Sequence, residues 1–153
     1  MGGGFLRRRK VFSLVVRVKL RVKSKRSKSI LELVVLANGG AESPRPCIVL
    51  RPEEARRLGL WPIDKAEIYL VEEASSTSEA YLIPGSVILE LIDEEGKVLS
   101  SVNADLVVQE GLSEPLITDI TIDELGIRVI SFSKGLWRFK DDPEGIVRMS
   151  AKR

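Results

Sequence analysis

The chain has 153 residues, 44% of them hydrophobic and 30% charged, with a formal net charge of +2. That suits one ordinary globular domain with a single core. It holds no histidine and one cysteine, Cys47, which removes Ser-His-Asp and Cys-His catalysis, histidine metal sites, an internal disulfide and Cys-rich zinc sites.

No metal and no cofactor is therefore expected. Cys47 lacks the base that would activate it and reads as a small buried hydrophobe. A lone cysteine also suits a reducing, cytoplasmic setting. Many charges beside a single glutamine give a thermophile-like composition. The charge is uneven: eleven of the 24 Lys and Arg precede residue 29, and the first acidic residue is Glu32.

The N-terminus carries Arg7, Arg8, Arg9 and Lys10. Residues 1–10 read as a basic flexible tail and a candidate for phosphate contact. The apolar stretch that follows is short and interrupted by Arg17 and Lys19, so neither a signal peptide nor a membrane span is expected. From Leu14 to Lys23 the pattern alternates: Val16, Val18, Leu20 and Val22 point one way, and Arg17, Lys19, Arg21 and Lys23 the other. Period two with one apolar face predicts a half-buried strand. Its basic face suits a solvated surface, as on an edge strand, or a nucleic-acid stripe without interleaved aromatics.

SKRSKS is a polar turn, and ILELVVLA, residues 30–37, a second and more central strand. The two should form a hairpin. Asn38-Gly39-Gly40 follows as a tight turn, Asn-Gly being a strong hairpin signal because both positions tolerate positive φ. PCIVL is a strand. RPEEARRLGL is a short helix with Pro52 first, Glu53 and Glu54 at its positive end, Arg56 and Arg57 in its last turn and Gly59 as its stop.

AEIYLVEEA is a strand and SSTSEA a loop. In YLIPGSVILELI, Pro84-Gly85 marks a turn or kink between extended pieces. A hairpin turns at Glu94-Glu95-Gly96. Within EPLITDITIDELGI the period switches to a second short helix, with Thr121 and Glu124 at capping-box spacing and Gly126 as its end. IRVISFS and GLWRF are the last strands, around Lys134-Gly135. Residues 141–153 form a polar tail. About eight to ten short strands favour a closed or nearly closed barrel.

The order of these pieces carries the functional information. An apolar strand ends in "ANGGAES". A strand, a short helix ending "ARRLGL", a Pro-Gly segment and a meander follow. Then comes "EPLITDITIDELGIRVISFSKGLWRF". Over most of residues 11–140 this resembles the single-domain, retropepsin-like aspartic peptidase family. The resemblance implies an all-β fold, a closed barrel with two short helices over 11–140, and a homodimer with a peptide or protein ligand in its cleft.

In that family the first apolar strand ends in Asp-Thr/Ser-Gly-Ala. Alignment on Gly40-Ala41 puts Asn38 at the catalytic aspartate position and Gly39 where the Thr or Ser belongs. Leu116, Ile117 and Thr118 take the place of the apolar pair and glycine at the site floor, with Thr118 replacing the glycine. Tyr81, Ile83, Pro84 and Gly85 fall where the family carries its substrate-covering flap.

Aspartic peptidases use two close carboxylates that share one proton. An asparagine donates and accepts hydrogen bonds but cannot take that proton. Three functions therefore stand open. One is a peptide-binding or regulatory homologue without conventional catalysis. The second is an active endopeptidase, with Asn38 deamidated to aspartate or with another acid such as Asp119 recruited. The third is a basic nucleic-acid-associated protein. Asp105, Asp119 and Asp123 otherwise read as caps or surface charges, and Trp61 and Trp137 as core or interface anchors.

Overall fold

The computed structural model describes residues 15–62, 67–72 and 77–153. It is mostly β, with two short helices. The strands are β1 (Arg17–Ser24), β2 (Ile30–Ala37), β3 (Cys47–Leu50), β4 (Glu67–Glu72), β5 (Thr77–Ile92), β6 (Val98–Gln109), β7 (Leu116–Ile117), β8 (Ile127–Ser131), β9 (Leu136–Phe139) and β10 (Arg148–Met149). The helices are α1 (Pro52–Arg57) and α2 (Asp119–Leu125).

The alternating stretch at the start does form a strand with one buried face. Val16, Val18, Leu20 and Val22 are all at most 1% exposed, each such burial being worth about 1.5–3 kcal/mol. β1 is not an edge, however. It pairs antiparallel with β2 on one side and with the second half of β5 on the other. Its basic face is accordingly not a free stripe. Arg17 pairs with Glu114, Lys19 and Arg21 with Glu32, and Arg21 and Lys23 with Glu90. Opposite charges face one another across three neighbouring strands, where such pairs stabilise a sheet.

Strand order in the large sheet is β1-β2-β7-β3-β6-β5-β4, and the β1–β5 pairing joins six of these strands in a ring. Two of the pairings are parallel, β2 with β7 and β3 with β6. The core fills the ring with Leu20, Val35, Ile48, Leu50, Leu89, Leu91, Leu106 and Ile117, among others. β8, β9 and β10 form a second, three-stranded sheet, and its Trp137 and Phe139 face the same core.

Several expectations change at this level. Of the turn or kink expected at Pro84-Gly85, the structure has the kink, a bulge inside the single strand β5. Ile83 pairs with Leu106 and Val87 with Ala104, so residues 84–86 stand opposite Asp105 alone. Pro84 has no N–H to give the ladder, and Gly85 takes φ 57°, a conformation suited to glycine. Thr77–Ala80, expected in a loop, belong to β5.

Helix α2 begins at Asp119 with Thr118 as its N-cap, so Thr121 lies inside it and makes no capping box. The capping box belongs instead to α1, where the Glu54 carboxylate accepts the Arg51 N–H at 2.9 Å. Gly126 ends α2 at φ 81°, as expected. Residues 141–153 are not a detached tail: Arg148–Met149 pairs with β9, and the Ala151 N–H donates to the Arg17 carbonyl. The alternation that would have marked this strand is only two residues long. Arg7–Lys10 and the rest of the basic N-terminus lie outside the described residues.

Candidate functional site

β2 delivers Asn38 to its position. The parallel pairing Leu36–Leu116 and Ala37–Ile117 sets two apolar strand ends side by side. The Asn38 N–H then donates to the Ile117 carbonyl at 3.1 Å. The next residues fold back on themselves: the Ala41 N–H reaches the Asn38 carbonyl at 3.0 Å, and the Gly40 N–H reaches Asn38 Oδ1 at 3.1 Å. This is an Asx turn, in which the side chain replaces a backbone acceptor.

The turn is not the hairpin turn that Asn-Gly suggests. β2 and β3 are separated by β7, and neither Gly39 nor Gly40 has positive φ. A Cβ added at Gly39 would meet nothing within 4 Å. The backbone conformation therefore does not demand glycine at position 39.

The loop beyond is tied to the start of α2. The Asp119 N–H donates to the Ala41 carbonyl at 2.8 Å. Ser43 Oγ lies 2.6 Å from Thr118 Oγ1, which lies 2.8 Å from Thr121 Oγ1. Thr121 in turn accepts the Cys47 N–H and donates to the Cys47 carbonyl. These buried hydroxyls satisfy one another and the start of β3 without any charge. The Thr118 hydroxyl thus links loop to helix. Asp119 Oδ1 accepts the Ile120 N–H at 2.7 Å and the Ser43 N–H at 3.4 Å, so its carboxylate supports the loop.

An open cleft of about 520 Å³ lies over this turn, lined by Val15, Leu36, Ala37, Asn38, Gly39, Gly40 and Phe132. Its walls are apolar apart from Asn38, the composition of a site that takes a hydrophobic side chain and fixes it with few polar groups. Asn38, Gly39 and Gly40 therefore line the cleft together, whereas Leu116, Ile117 and Thr118, expected at its floor, are not among the residues that line it; Leu116–Ile117 pairs beside the end of β2.

Tyr81, Ile83, Pro84 and Gly85 do not line this cleft. The Tyr81 ring packs on Trp61 with centroids 5.0 Å apart, and its hydroxyl donates to Glu79. Ile83 is buried in the core. Gly85 is linked to the site loop through Asp105, which accepts the Gly85 N–H at 2.8 Å and an Arg45 guanidinium N–H at 3.0 Å. The hairpin loop between β4 and β5 lies outside the described residues.

No protein-family model matches this chain, and no curated protein matches it. The residues themselves must carry the functional argument.

Cys47 is buried, as expected of a small hydrophobe, and burial pushes its thiol up to about 12, with the Asp105 charge adding to the effect. Ordinary thiolate chemistry is closed to it. Among the described residues, no group of acidic or thiol side chains is arranged to hold a metal ion, and no helix is long and apolar enough to cross a membrane. Val15, Ser43, Arg45 and Phe132 were missed as site residues in the sequence. Ser43 stands inside "ANGGAES", but nothing in that string says that its hydroxyl meets Thr118. Phe132 follows β8, close to a hundred residues from Asn38.

Proposed function

We propose that the six-stranded ring is a closed barrel of the retropepsin type, and that the chain is a homodimeric member of that family whose cleft binds extended peptide or protein segments without conventional aspartyl catalysis. The observation that carries this is the placement of Asn38. It ends an apolar strand, beside a second apolar strand end, at the base of an apolar cleft, on a loop pinned to a helix start. That is where such a fold needs a carboxylate, and an amide stands there. Two facing asparagines would hold a peptide carbonyl by hydrogen bonds but would leave water without a base.

Dimerisation is supported by exposed apolar side chains on the three-stranded sheet and the turn after β8. Ile130, Phe132 and Met149 are 50%, 49% and 74% exposed, and Phe132 is itself a cleft wall. A nucleic-acid role for β1 is disfavoured, because Arg17, Lys19, Arg21 and Lys23 each already face a carboxylate.

The test is a library of extended, apolar peptides presented to freshly prepared protein. Binding is read by fluorescence anisotropy, cleavage by mass spectrometry and oligomeric state by light scattering. A dimer that binds without cleaving is expected. A monomer with no peptide affinity overturns the proposal.

A further inference from the structure

We propose that Asn38 is a self-modification site: the Gly39 backbone nitrogen attacks the Asn38 side-chain amide, and the loop acquires an aspartate after folding. This rests on the site proposed above, since the new acid would appear at the base of that cleft.

The first support is steric. Gly39 is exposed, has no positive φ and leaves empty space where a Cβ would sit. A glycine that the backbone does not require leaves its own nitrogen unhindered. Among the described residues no hydrogen bond engages the Gly39 N–H, so nothing need be broken to free it.

The second support is electronic. As the nitrogen adds to Cγ, negative charge develops on Oδ1. The Gly40 N–H already points at that oxygen from 3.1 Å. A backbone donor fixed beforehand on an atom that gains charge lowers the barrier, as in an oxyanion hole.

The balance is simple. The Gly39 nitrogen loses its proton to solvent and bonds to Cγ. The Cγ–Nδ2 bond breaks as Nδ2 takes a proton back from solvent, and ammonia leaves, giving a cyclic imide. Water then opens the ring. Opening between Cγ and the Gly39 nitrogen gives aspartate on a normal backbone. Opening at the main-chain carbonyl would give iso-aspartate and lengthen the loop. The normal backbone keeps the peptide carbonyl of residue 38 that accepts the Ala41 N–H, which the other opening would turn into a free carboxylate, and this favours aspartate.

The experiment is intact-mass and peptide-map analysis of the full chain, before and after heat ageing at neutral and mildly alkaline pH. The mass gain of an amide-to-acid exchange is expected at Asn38, with aspartate as the main product. Asn103, the other asparagine, lies exposed within the paired strand β6 and is an internal control that should stay unchanged. Gly39→Ala fits without strain or collision and crowds only the attacking nitrogen, so the gain should be lost or greatly slowed in that variant. An unchanged Asn38 amide, a gain equal in Gly39→Ala, a predominantly iso-aspartyl product or scission after residue 38 would each overturn the proposal. The readout is mass, so it is independent of peptide binding: an aged chain that gains the aspartate but binds no peptide would refute the cleft's role and leave the modification standing.

Discussion

The Thr121 hydroxyl holds both main-chain groups of Cys47, accepting its N–H at 2.8 Å and donating to its carbonyl at 3.1 Å. One side chain on α2 thereby closes the start of β3, and through Thr118 and Ser43 it also closes the loop that carries Asn38. Thr121→Val keeps the volume and removes the hydroxyl. Buried groups left unpaired cost about 1–3 kcal/mol, and a loss of that size is expected in urea unfolding. Ser43→Ala should cost less, because Ser43 is only partly buried and water can reach the groups it leaves.

Asp105 fastens the β5 bulge to the site loop. Its carboxylate, 8% exposed, takes the Gly85 N–H and the Arg45 guanidinium. Asp105→Ala leaves the Gly85 N–H without an acceptor and should destabilise the chain by about 1–3 kcal/mol. Arg45→Ala removes only the exposed partner of the pair and should cost under about 1 kcal/mol. Chemical denaturation of the two variants side by side checks the order.

Acid should weaken the fold from a defined set of pairs. The Arg17 guanidinium holds the Glu114 carboxyl below its ordinary range, and Arg148 does the same for Asp142, aided by the Phe139 N–H. A carboxyl whose value is lower in the folded state than in the unfolded state gives stability that is full above the unfolded value. That stability disappears as pH falls through the folded value. Unfolded Glu and Asp titrate at about 4.3 and 3.9, so the urea midpoint should hold near neutrality and decline below those values. Glu114→Gln and Asp142→Asn should each flatten the decline. A midpoint that fell as steeply in both variants as in the unsubstituted chain would remove these pairs as its cause.

How much of this was legible in the sequence depended on how local the cause is. β1 was legible because its alternation records its own two faces, and α1 because Pro52, Glu53, Glu54, Arg56 and Arg57 obey the helix dipole within a few residues. The pairing of β1 on both edges was not legible, since the carboxylates that answer its basic face sit on β2, on β5 and at Glu114. The parallel contact of β2 with β7 rests on two residues of each strand, far apart in the chain. The order of motifs singled out Asn38 and Leu116–Ile117, which the structure sets side by side. Pro84-Gly85 read as a turn or a kink, and what decides for a bulge, the carboxylate that takes the Gly85 N–H, comes twenty residues later. Phe132 and Val15 carry no local mark of a cleft wall at all.

The apolar rim gives a prediction of its own. Replacing Phe132 or Met149 by Asp puts a charge where a partner copy would cover apolar surface, and burying an unpaired charge is strongly unfavourable. Light scattering should show the dimer replaced by monomer, with little change in thermal stability of the monomer itself, because both side chains are already exposed.

The most direct test of the central claim compares peptide cleavage by freshly prepared protein, its Asn38 amide verified by mass, with cleavage by Asn38→Asp. The fresh protein should bind extended peptides and leave them intact, while Asn38→Asp should cleave them under acidic to neutral conditions. Cleavage by the fresh amide form that persists unchanged in Asn38→Ala would contradict the claim, because the chemistry would then lie somewhere other than the turn at the end of β2.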